Sequence, residues 1–203
     1  FGLIELYEAS FDVSYLNRCG KLLEKMLELF SDENGSGFYM YAHDRDQLIS
    51  RPKELYDGAL PSGNSVAAYV MGRLYHLTGE VRWQNALEKQ LAYLAGAISQ
   101  SPANYCFSLL ALQSVLYPST KIICVSDGKT VLNELKELQK SLSPDFSLFL
   151  KIPSNEKELA EAVPYTMDYP IPSSGSKYYV CRGGSCMRPA ENMKDLKEML
   201  EAL

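Results

Sequence analysis

The sequence predicts an α+β protein in which antiparallel helical hairpins precede a small three-stranded α/β domain. Apolar residues recur at three- and four-residue steps in the first part of the chain, which is typical of amphipathic helices. From about Thr120 onward, short apolar runs alternate with helical stretches, which is the pattern of strand–helix–strand units. We therefore place the two domains at residues 1–118 and 119–203, joined near Pro118.

The helical part of the chain contains four segments with a clear apolar stripe. The first stripe ends near Phe30 at a polar turn, and Asp12 or Ser14 can cap its start. A short extended segment and a polar loop precede the second stripe. Because only short connections join the later helices, we expect them to be antiparallel neighbours. The four stripes cover residues 16–30, 66–77, 83–98 and 106–115.

The α/β part contains three apolar runs that predict buried strands. The first two strands are joined by a helix with short links, which predicts parallel pairing with a right-handed crossover. A loop rich in Pro, Ser and Gly precedes the third strand, and a helix closes the chain. The strands are predicted at residues 121–125, 146–152 and 177–182, and the helices at residues 129–142, 155–163 and 190–203.

The composition argues against several classes of function. Apolar residues make up 46% of the chain and charged residues 22%, as in soluble globular proteins. The net charge of −5 comes from scattered acids without a basic stripe, so we expect no nucleic-acid partner. Because no apolar run approaches the length of a membrane span, we expect no membrane partner. Five cysteines, three of them in apolar stretches, favour a reducing cytoplasm.

A polar, turn-rich segment lies directly before the second full helix and carries the candidate site. A helix start offers unpaired backbone N–H groups and a positive dipole end, so polar groups gathered there can form the floor of a pocket. An elaborate helix cap is the structural alternative. The candidate residues are Arg51, Lys53, Glu54, Tyr56, Asp57, Ser62 and Asn64.

Glu54 and Asp57 are the candidate catalytic residues of this segment. Acid–base chemistry on a sugar requires two carboxyl groups that face each other across a cleft. One of these carboxylates would move protons, while either could instead be a structural cap. Five further residues are expected to bind substrate, the cations by holding anionic or hydroxyl groups and the others by orienting or stacking on the ligand. These five are Arg51, Lys53, Tyr56, Ser62 and Asn64.

Cys181 and Cys186 form a candidate redox pair. They lie five residues apart across a tight turn, which can bring two thiols within bridging distance. Two structural thiols at a strand end are the alternative. We expect no metal site, because His43 and His76, the two histidines of the chain, lie in the helical part, far along the sequence.

We also expect no cofactor. The segment that follows the first strand ends in Gly-Lys-Thr, like a phosphate-binding P-loop. A P-loop needs another glycine five residues before Gly128, where this chain has Ile123. The segment therefore indicates a plain helix cap by Ser126 or Asp127.

Residues 51–65, with the sequence RPKELYDGALPSGNS, resemble a known family. These are the thioredoxin-domain proteins typified by bacterial YyaL and by spermatogenesis-associated protein 20. The resemblance extends over nearly the whole chain. It includes Leu6-Tyr7-Glu8-Ala9 followed by Phe11-Asp12, the turn Gly35-Ser36-Gly37-Phe38-Tyr39, and the stretch from Tyr179 through Cys181 and Cys186 to Pro189.

The resemblance implies a longer parent protein. In such proteins a thioredoxin-like domain precedes an (α/α)6 barrel similar to those of N-acylglucosamine 2-epimerases and six-hairpin glycosidases, and a small α/β unit follows. By this analogy the chain, which begins at Phe1 within a helical pattern, is a C-terminal fragment with part of the barrel. The parent would bind a sugar or small metabolite and act as a carbohydrate isomerase, epimerase or glycosidase. We expect the fragment itself to be inactive.

Two further expectations follow from this interpretation. Helices shaped to close a ring present apolar faces to absent neighbours, so we expect the fragment to self-associate through its first helices. The alternative function is a non-catalytic scaffold, or a thiol-redox partner module of the thioredoxin domain. In that module Cys181 and Cys186 would exchange disulfides.

Overall fold

A computed structural model describes residues 1–33, 36–46, 49–143 and 145–203 of the chain, without the side chain of Lys129. The polar turn at Asn34 and Gly35, which also opens one of the resembling motifs, lies outside the described residues. Within the described ranges the protein is α+β, with eight α-helices and one four-stranded mixed sheet. The predicted α+β class is thus confirmed.

The chain divides into two compact units, which we call the helical unit and the sheet unit. The helical unit comprises Phe1 and Leu16–Tyr117, and the sheet unit comprises Gly2–Tyr15 and Pro118–Leu203. The first helix therefore packs in the sheet unit, whereas its apolar spacing had grouped it with the helices that follow it in sequence.

Four long helices dominate the helical unit, and the third helix of the chain, α3 (Gly63–Thr78), is at its centre. It packs against both α4 (Val81–Gln100) and α5 (Cys106–Leu116), and its side chains are buried on nearly every face. Ser62, a predicted binding residue, caps its start, and Gly79, in the left-handed conformation with φ 75°, ends it. The helices are α2 (Ser14–Phe30), α3 (Gly63–Thr78), α4 (Val81–Gln100) and α5 (Cys106–Leu116).

The strands of the sheet unit are β1 (Thr120–Ser126), β2 (Phe146–Lys151), β3 (Ser176–Arg182) and β4 (Ser185–Cys186), and its helices are α1 (Gly2–Ser10), α6 (Leu132–Gln139), α7 (Glu156–Ala162) and α8 (Met193–Glu201). The strand order in the sheet is β2-β1-β3-β4. The parallel pairing of β1 with β2 is confirmed, and β1 pairs antiparallel with β3.

The prediction of a three-stranded domain is wrong, because β3 turns back into the short strand β4. The register places Cys181 opposite Cys186 and Arg182 opposite Ser185. A two-residue, exposed strand carries no alternation of apolar and polar side chains, so its sequence gave no periodic signal.

Two layers of side chains cover the sheet. One face contributes Ile122, Leu148 and Val180 to a buried apolar cluster. On the other face the ring of Phe149 contacts the rings of Tyr7 and Tyr165. The buried hydroxyl of Tyr7 donates to the carbonyl of Leu148 at 3.2 Å, which ties α1 to β2.

Phe11 closes α1 in a strained conformation, with φ at 58°. Its N–H donates to the carbonyl of Tyr7, as in a left-handed helix end where glycine is usual. The ring of Phe11 is buried in the apolar cluster of the sheet unit. Burial of the ring offsets the backbone strain, which a glycine would avoid without filling the core.

Among the described residues, no helix combines the length and the apolar character that crossing a bilayer requires.

Candidate functional site

The carboxylate of Asp57 connects the polar segment to the starts of two helices. Its Oδ1 accepts the N–H of Ser62 at 2.9 Å, beside the start of α3. Its Oδ2 accepts the N–H groups of Phe107 and Ser108 at 2.9 and 3.3 Å, in the first turn of α5. A carboxylate is favoured at helix starts, because it satisfies unpaired N–H groups and meets the positive dipole end. Asp57 therefore acts as a shared cap for α3 and α5.

A chain of three buried hydroxyl groups continues from this cap. The Oγ atoms of Ser62 and Ser65 lie 2.8 Å apart, and those of Ser65 and Ser108 lie 2.7 Å apart. The Oγ of Ser62 also accepts the N–H of Ser65 at 3.1 Å. These contacts join the starts of α3 and α5 side by side, so the predicted binding residue Ser62 faces the protein interior.

Asn64 is buried, and its amide makes four hydrogen bonds. Its Oδ1 accepts from the N–H of Phe38 at 2.8 Å and from Nε2 of Gln90 at 2.9 Å. Its Nδ2 donates to the carbonyl groups of Phe38 and Glu54 at 2.9 and 2.8 Å. This set fills the usual capacity of an amide side chain, two acceptor sites and two donors. Asn64 thereby joins two loops to α4.

Lys53 forms a half-buried ion pair with Asp32. Its Nζ donates to Oδ2 of Asp32 at 2.6 Å and to the carbonyl of Ser36 at 2.7 Å. The ammonium also lies 4.8 and 5.0 Å from the ring centroids of Tyr39 and Tyr93. Since both partners are largely shielded from water, this pair is stronger than an exposed one.

Arg51 covers the ring of Tyr39, with its guanidinium carbon 4.0 Å from the ring centroid. Its Nη2 donates to the carbonyl of Tyr41 at 3.0 Å. Glu54 and Tyr56 have a different environment, because both side chains are exposed. The carboxylates of Glu54 and Asp57 therefore lie in different surroundings, and their catalytic role stays a prediction.

A cleft of about 510 Å³ opens beside this network, within the helical unit. Its wall includes Asp32 and Gln90, which are the partners of Lys53 and Asn64. Lys53 and Asn64 thus hold two wall residues in place without lining the cleft themselves. The other polar and apolar lining groups include Glu33, Phe38, Arg82, Asn85, Ala86 and Lys89.

Asn85, Lys89 and Gln90 were missed by the sequence reasoning. They lie on one side of α4 at spacings of four and five residues, and Gln90 is buried next to apolar helix positions. A buried glutamine in an apolar stripe, with exposed polar residues one turn before it, was the available signal.

Cys181 and Cys186 are joined by a disulfide that links β3 to β4. Gly183 and Gly184 form the turn between them with positive φ angles of 58° and 83°, which glycine adopts without strain. The hydroxyl of Tyr169 lies 3.3 Å from each sulfur. Because disulfide sulfurs carry no proton, the hydroxyl is the donor.

Within the ranges that the structure describes, no group of three or more His, Cys, Asp and Glu side chains is placed to hold a metal ion. The three other cysteines have free thiols, with Cys19 and Cys124 buried and Cys106 exposed.

The fold and the cleft define an α+β protein with a polar concavity in its helical unit. No family model matches the chain. Over 98% of its length it is 26% identical to spermatogenesis-associated protein 20 of Rattus norvegicus and 25% identical to that of Homo sapiens. It is also 24% identical over 97% of its length to an uncharacterised protein of Caenorhabditis elegans.

These similarities indicate that the chain is homologous to spermatogenesis-associated protein 20. The chain covers 26% of both mammalian relatives and 27% of the nematode protein, so it spans about a quarter of their length.

Proposed function

We propose that the helical unit contributes a binding site for a small polar metabolite, such as a sugar, to a longer protein. The observation that supports this proposal is the cleft of about 510 Å³ with amide and charged groups on its wall. Clefts of this size with a few convergent polar groups are typical of small-molecule sites. Asn85 and Lys89 are both exposed at the cleft, so their donors are open to a ligand hydroxyl or phosphate.

The network behind the cleft would pre-organise this wall. Asn64 fixes the amide of Gln90, and Lys53 fixes the carboxylate of Asp32. Binding groups held in place before the ligand arrives lose less conformational entropy on binding. In this proposal Lys53, Asp57 and Asn64 support the site through their internal hydrogen bonds and do not themselves contact the ligand.

The reaction of the longer protein belongs to the same proposal. The family resemblance favours a thioredoxin-domain protein whose (α/α)6 barrel, similar to N-acylglucosamine 2-epimerases and six-hairpin glycosidases, acts on carbohydrates. Of the two candidate acids, Glu54 has an exposed carboxylate, whereas Asp57 is engaged in capping. We therefore favour Glu54 for proton transfer and expect no turnover by this chain alone. The cytoplasm remains the proposed compartment, without nucleic acid or membrane as partners.

A titration of this chain with sugars and sugar phosphates, followed by calorimetry, tests the binding proposal. Substituting Lys89 by Ala is expected to weaken the best ligand by about tenfold, since a charged hydrogen bond contributes roughly that much. Lys21→Ala is the matched control, because Lys21 is an exposed lysine of the same unit outside the cleft lining. Equal affinities for both variants, or no binding by this chain or the longer protein, would refute the site.

A non-catalytic scaffold is the second candidate function. It is favoured by the internal hydrogen bonds of Lys53, Asp57 and Asn64, which leave these side chains occupied by the protein itself. Under this hypothesis Lys53→Ala and Asp57→Ala lower stability and leave every ligand affinity of the longer protein unchanged.

Self-association of this chain is also proposed. Leu22 on α2 and Leu116 on α5 are 63% and 65% exposed, and exposed apolar side chains favour association. A monodisperse monomer in light scattering at high protein concentration would contradict it.

A further inference from the structure

The disulfide of the sheet unit lies at an open edge of the sheet. Strand β4 is the last strand in the order β2-β1-β3-β4, and Cys186 on it is exposed. An edge strand can be approached by another protein chain, because its outer backbone groups are not paired within the sheet. Cys181, one strand further in, is half-buried. The two sulfurs therefore differ in their access to an incoming thiolate.

Two side chains supply positive or hydrogen-bonding character on the face of the sheet that carries Cys181. Lys121 is directly opposite Cys181 in the β1–β3 register, and opposite residues of antiparallel strands share one face at a separation of about 5 Å. Its ammonium lies 4.0 Å from the ring centroid of Tyr165, and no carboxylate pairs with it in the described part of the chain. Tyr169 donates its hydroxyl to the sulfurs.

The hydroxyl of Tyr169 is held in place and stays protonated. Nζ of Lys151, a buried side chain, donates to the backbone carbonyl of Tyr169 at 2.8 Å. Burial raises the pKa of the Tyr169 phenol above its ordinary value, and the neighbouring charge of Asp168 raises it further. The phenol is consequently a hydrogen-bond donor at neutral pH.

We propose that Cys181–Cys186 is a thiol–disulfide exchange site that accepts two electrons from a protein dithiol. A thiolate of the dithiol attacks Sγ of Cys186, the bond between the two sulfurs breaks, and Cys181 leaves as a thiolate that contacts Tyr169 and shares its sheet face with Lys121. The second thiolate of the partner then attacks the partner's own sulfur in the mixed disulfide and releases Cys186 as a thiolate. The partner ends as a disulfide, and the two protons it lost are taken up by the released thiolates.

This assignment explains why the pair is asymmetric. A good leaving thiolate is stabilised by a nearby cation or hydrogen-bond donor. Tyr169 contacts both sulfurs, whereas Lys121 is opposite Cys181 alone in the register. The inference does not depend on the cleft of the helical unit, so a failed sugar titration leaves it intact.

The attacked sulfur can be identified directly with glutathione as the probe. Trypsin cleaves after Arg182, which places Cys181 and Cys186 in separate peptides. Mass spectrometry of the acid-quenched protein is expected to find glutathione first on the peptide with Cys186. Glutathione first on Cys181, or oxidised protein without a link between the two peptides, would overturn the proposal.

Rates of reduction by dithiothreitol test the two stabilising groups. Tyr169→Phe is expected to slow reduction about threefold to tenfold, and Lys121→Met by about tenfold. Lys121→Arg keeps the charge and should restore most of the rate, which a purely structural role would not predict. Circular dichroism checks that each variant folds. If Lys121→Met does not fold, the reduction rate of Tyr169→Phe and the identity of the sulfur attacked by glutathione test the proposal.

Two matched controls complete the experiment. Tyr179→Phe removes a hydroxyl from a ring 4.6 Å from that of Tyr169, and no described contact joins that hydroxyl to a sulfur. Lys177→Met removes a lysine that lies on β3, the strand of Cys181, and pairs with Glu191. Both variants are expected to be reduced at the wild-type rate. Equal slowing in the variants and in these controls would refute the roles of Tyr169 and Lys121.

Discussion

The helical unit and the sheet unit bury polar groups in different ways. In the helical unit, Asp57 and Asn64 are side chains whose partners are mainly backbone groups of loops and helix starts. In the sheet unit, Tyr7 and Cys124 are titratable groups that are buried among apolar side chains in their neutral form. The hydrogen bonds of the helical unit hold loops and helix starts in place. The buried neutral groups of the sheet unit make the stability of that unit depend on pH.

We therefore expect polar substitutions in the helical unit to lower its free energy of unfolding strongly, by an amount that stays the same as the pH rises into the alkaline range. Trp83, the single tryptophan of the chain, is buried in the helical unit and reports its unfolding by fluorescence. Hydrogen exchange of β1 amides reports the sheet unit. The two probes allow each unit to be followed separately.

The largest effect is expected for Asn64→Ala, which removes the side-chain acceptor of the Phe38 N–H and of Gln90 Nε2 and the side-chain donor to the carbonyls of Phe38 and Glu54. Gln90 keeps only its longer bond of 3.3 Å to the backbone carbonyl of residue 64. We expect the free energy of unfolding of the helical unit to fall by about 4 kcal/mol, because each buried unpaired group costs roughly 1–3 kcal/mol. Urea unfolding followed by Trp83 fluorescence measures it. Asn85→Ala, at an exposed position of α4, should change stability by less than about 0.5 kcal/mol. Similar losses in both variants would contradict the network.

A slightly smaller effect is expected at Gly37, where φ is 86° and an added Cβ would lie 2.2 Å from the ring of Tyr93. Gly37→Ala combines backbone strain with a steric clash, so we expect a loss of about 3 kcal/mol. Gly175→Ala is the control in the sheet unit, because φ is 76° there but no atom lies within 4 Å of an added Cβ. Its loss of about 1 kcal/mol isolates the backbone cost. Thermal unfolding of both variants gives the comparison.

The sequence predicts where the helices and strands lie along the chain better than it predicts which elements pack against each other. Apolar spacing located α2 to α5, because this signal is local. The two buried residues of α1, Ile4 and Tyr7, indicate a helix face but not which core it joins. Strand β4 was too short to leave a pattern.

The candidate site shows the same limit. The sequence predicts that the polar segment is the floor of a pocket, with an elaborate helix cap as the alternative, and in the structure Asn64 and Asp57 are both turned inward. Their partners Gln90 and Phe107 are 26 and 50 residues further along the chain, so no local pattern could reveal them. For the same reason Tyr169, next to the predicted cysteine pair, could not be found from its neighbours in sequence.

The third prediction separates the two candidate acids. Asp57→Ala removes the shared cap of α3 and α5, and we expect a loss of about 2 kcal/mol in the helical unit. Glu54→Ala, at an exposed side chain, should stay within about 0.5 kcal/mol of the wild type. Urea unfolding measures both. An Asp57→Ala variant with the free energy of unfolding of the wild type would show that this carboxylate is not structural. Asp57 would then be as good a catalytic candidate as Glu54.

The smallest effect near neutral pH, and the one that tests the sheet unit, belongs to Cys124. Burial raises the pKa of this thiol from 9.0 to about 12, with a further contribution from the charge of Glu134. Because the folded state holds the proton more tightly than the unfolded chain, the stabilisation is complete below pH 9. It is lost as pH rises from 9 to about 12, with a slope of at most about 1.4 kcal/mol per pH unit.

Cys124→Ala should therefore flatten the decline of β1 amide protection, measured by hydrogen exchange between pH 9 and 10.5, relative to the wild type. Cys106→Ala is the control, since that thiol is exposed and lies in the helical unit. An unchanged decline in Cys124→Ala would assign the alkaline sensitivity to the buried phenols, of which Tyr7 is one whose pKa burial raises. Tyr7→Phe then tests this phenol, because it removes the titrating hydroxyl and keeps the ring against Phe149. Burial also raises the pKa values of the Tyr165 and Tyr178 phenols. A decline that survives in all four variants, with Tyr165→Phe and Tyr178→Phe included, would mean that the pH dependence of the sheet unit does not come from these buried neutral groups, and the contrast with the helical unit would fail.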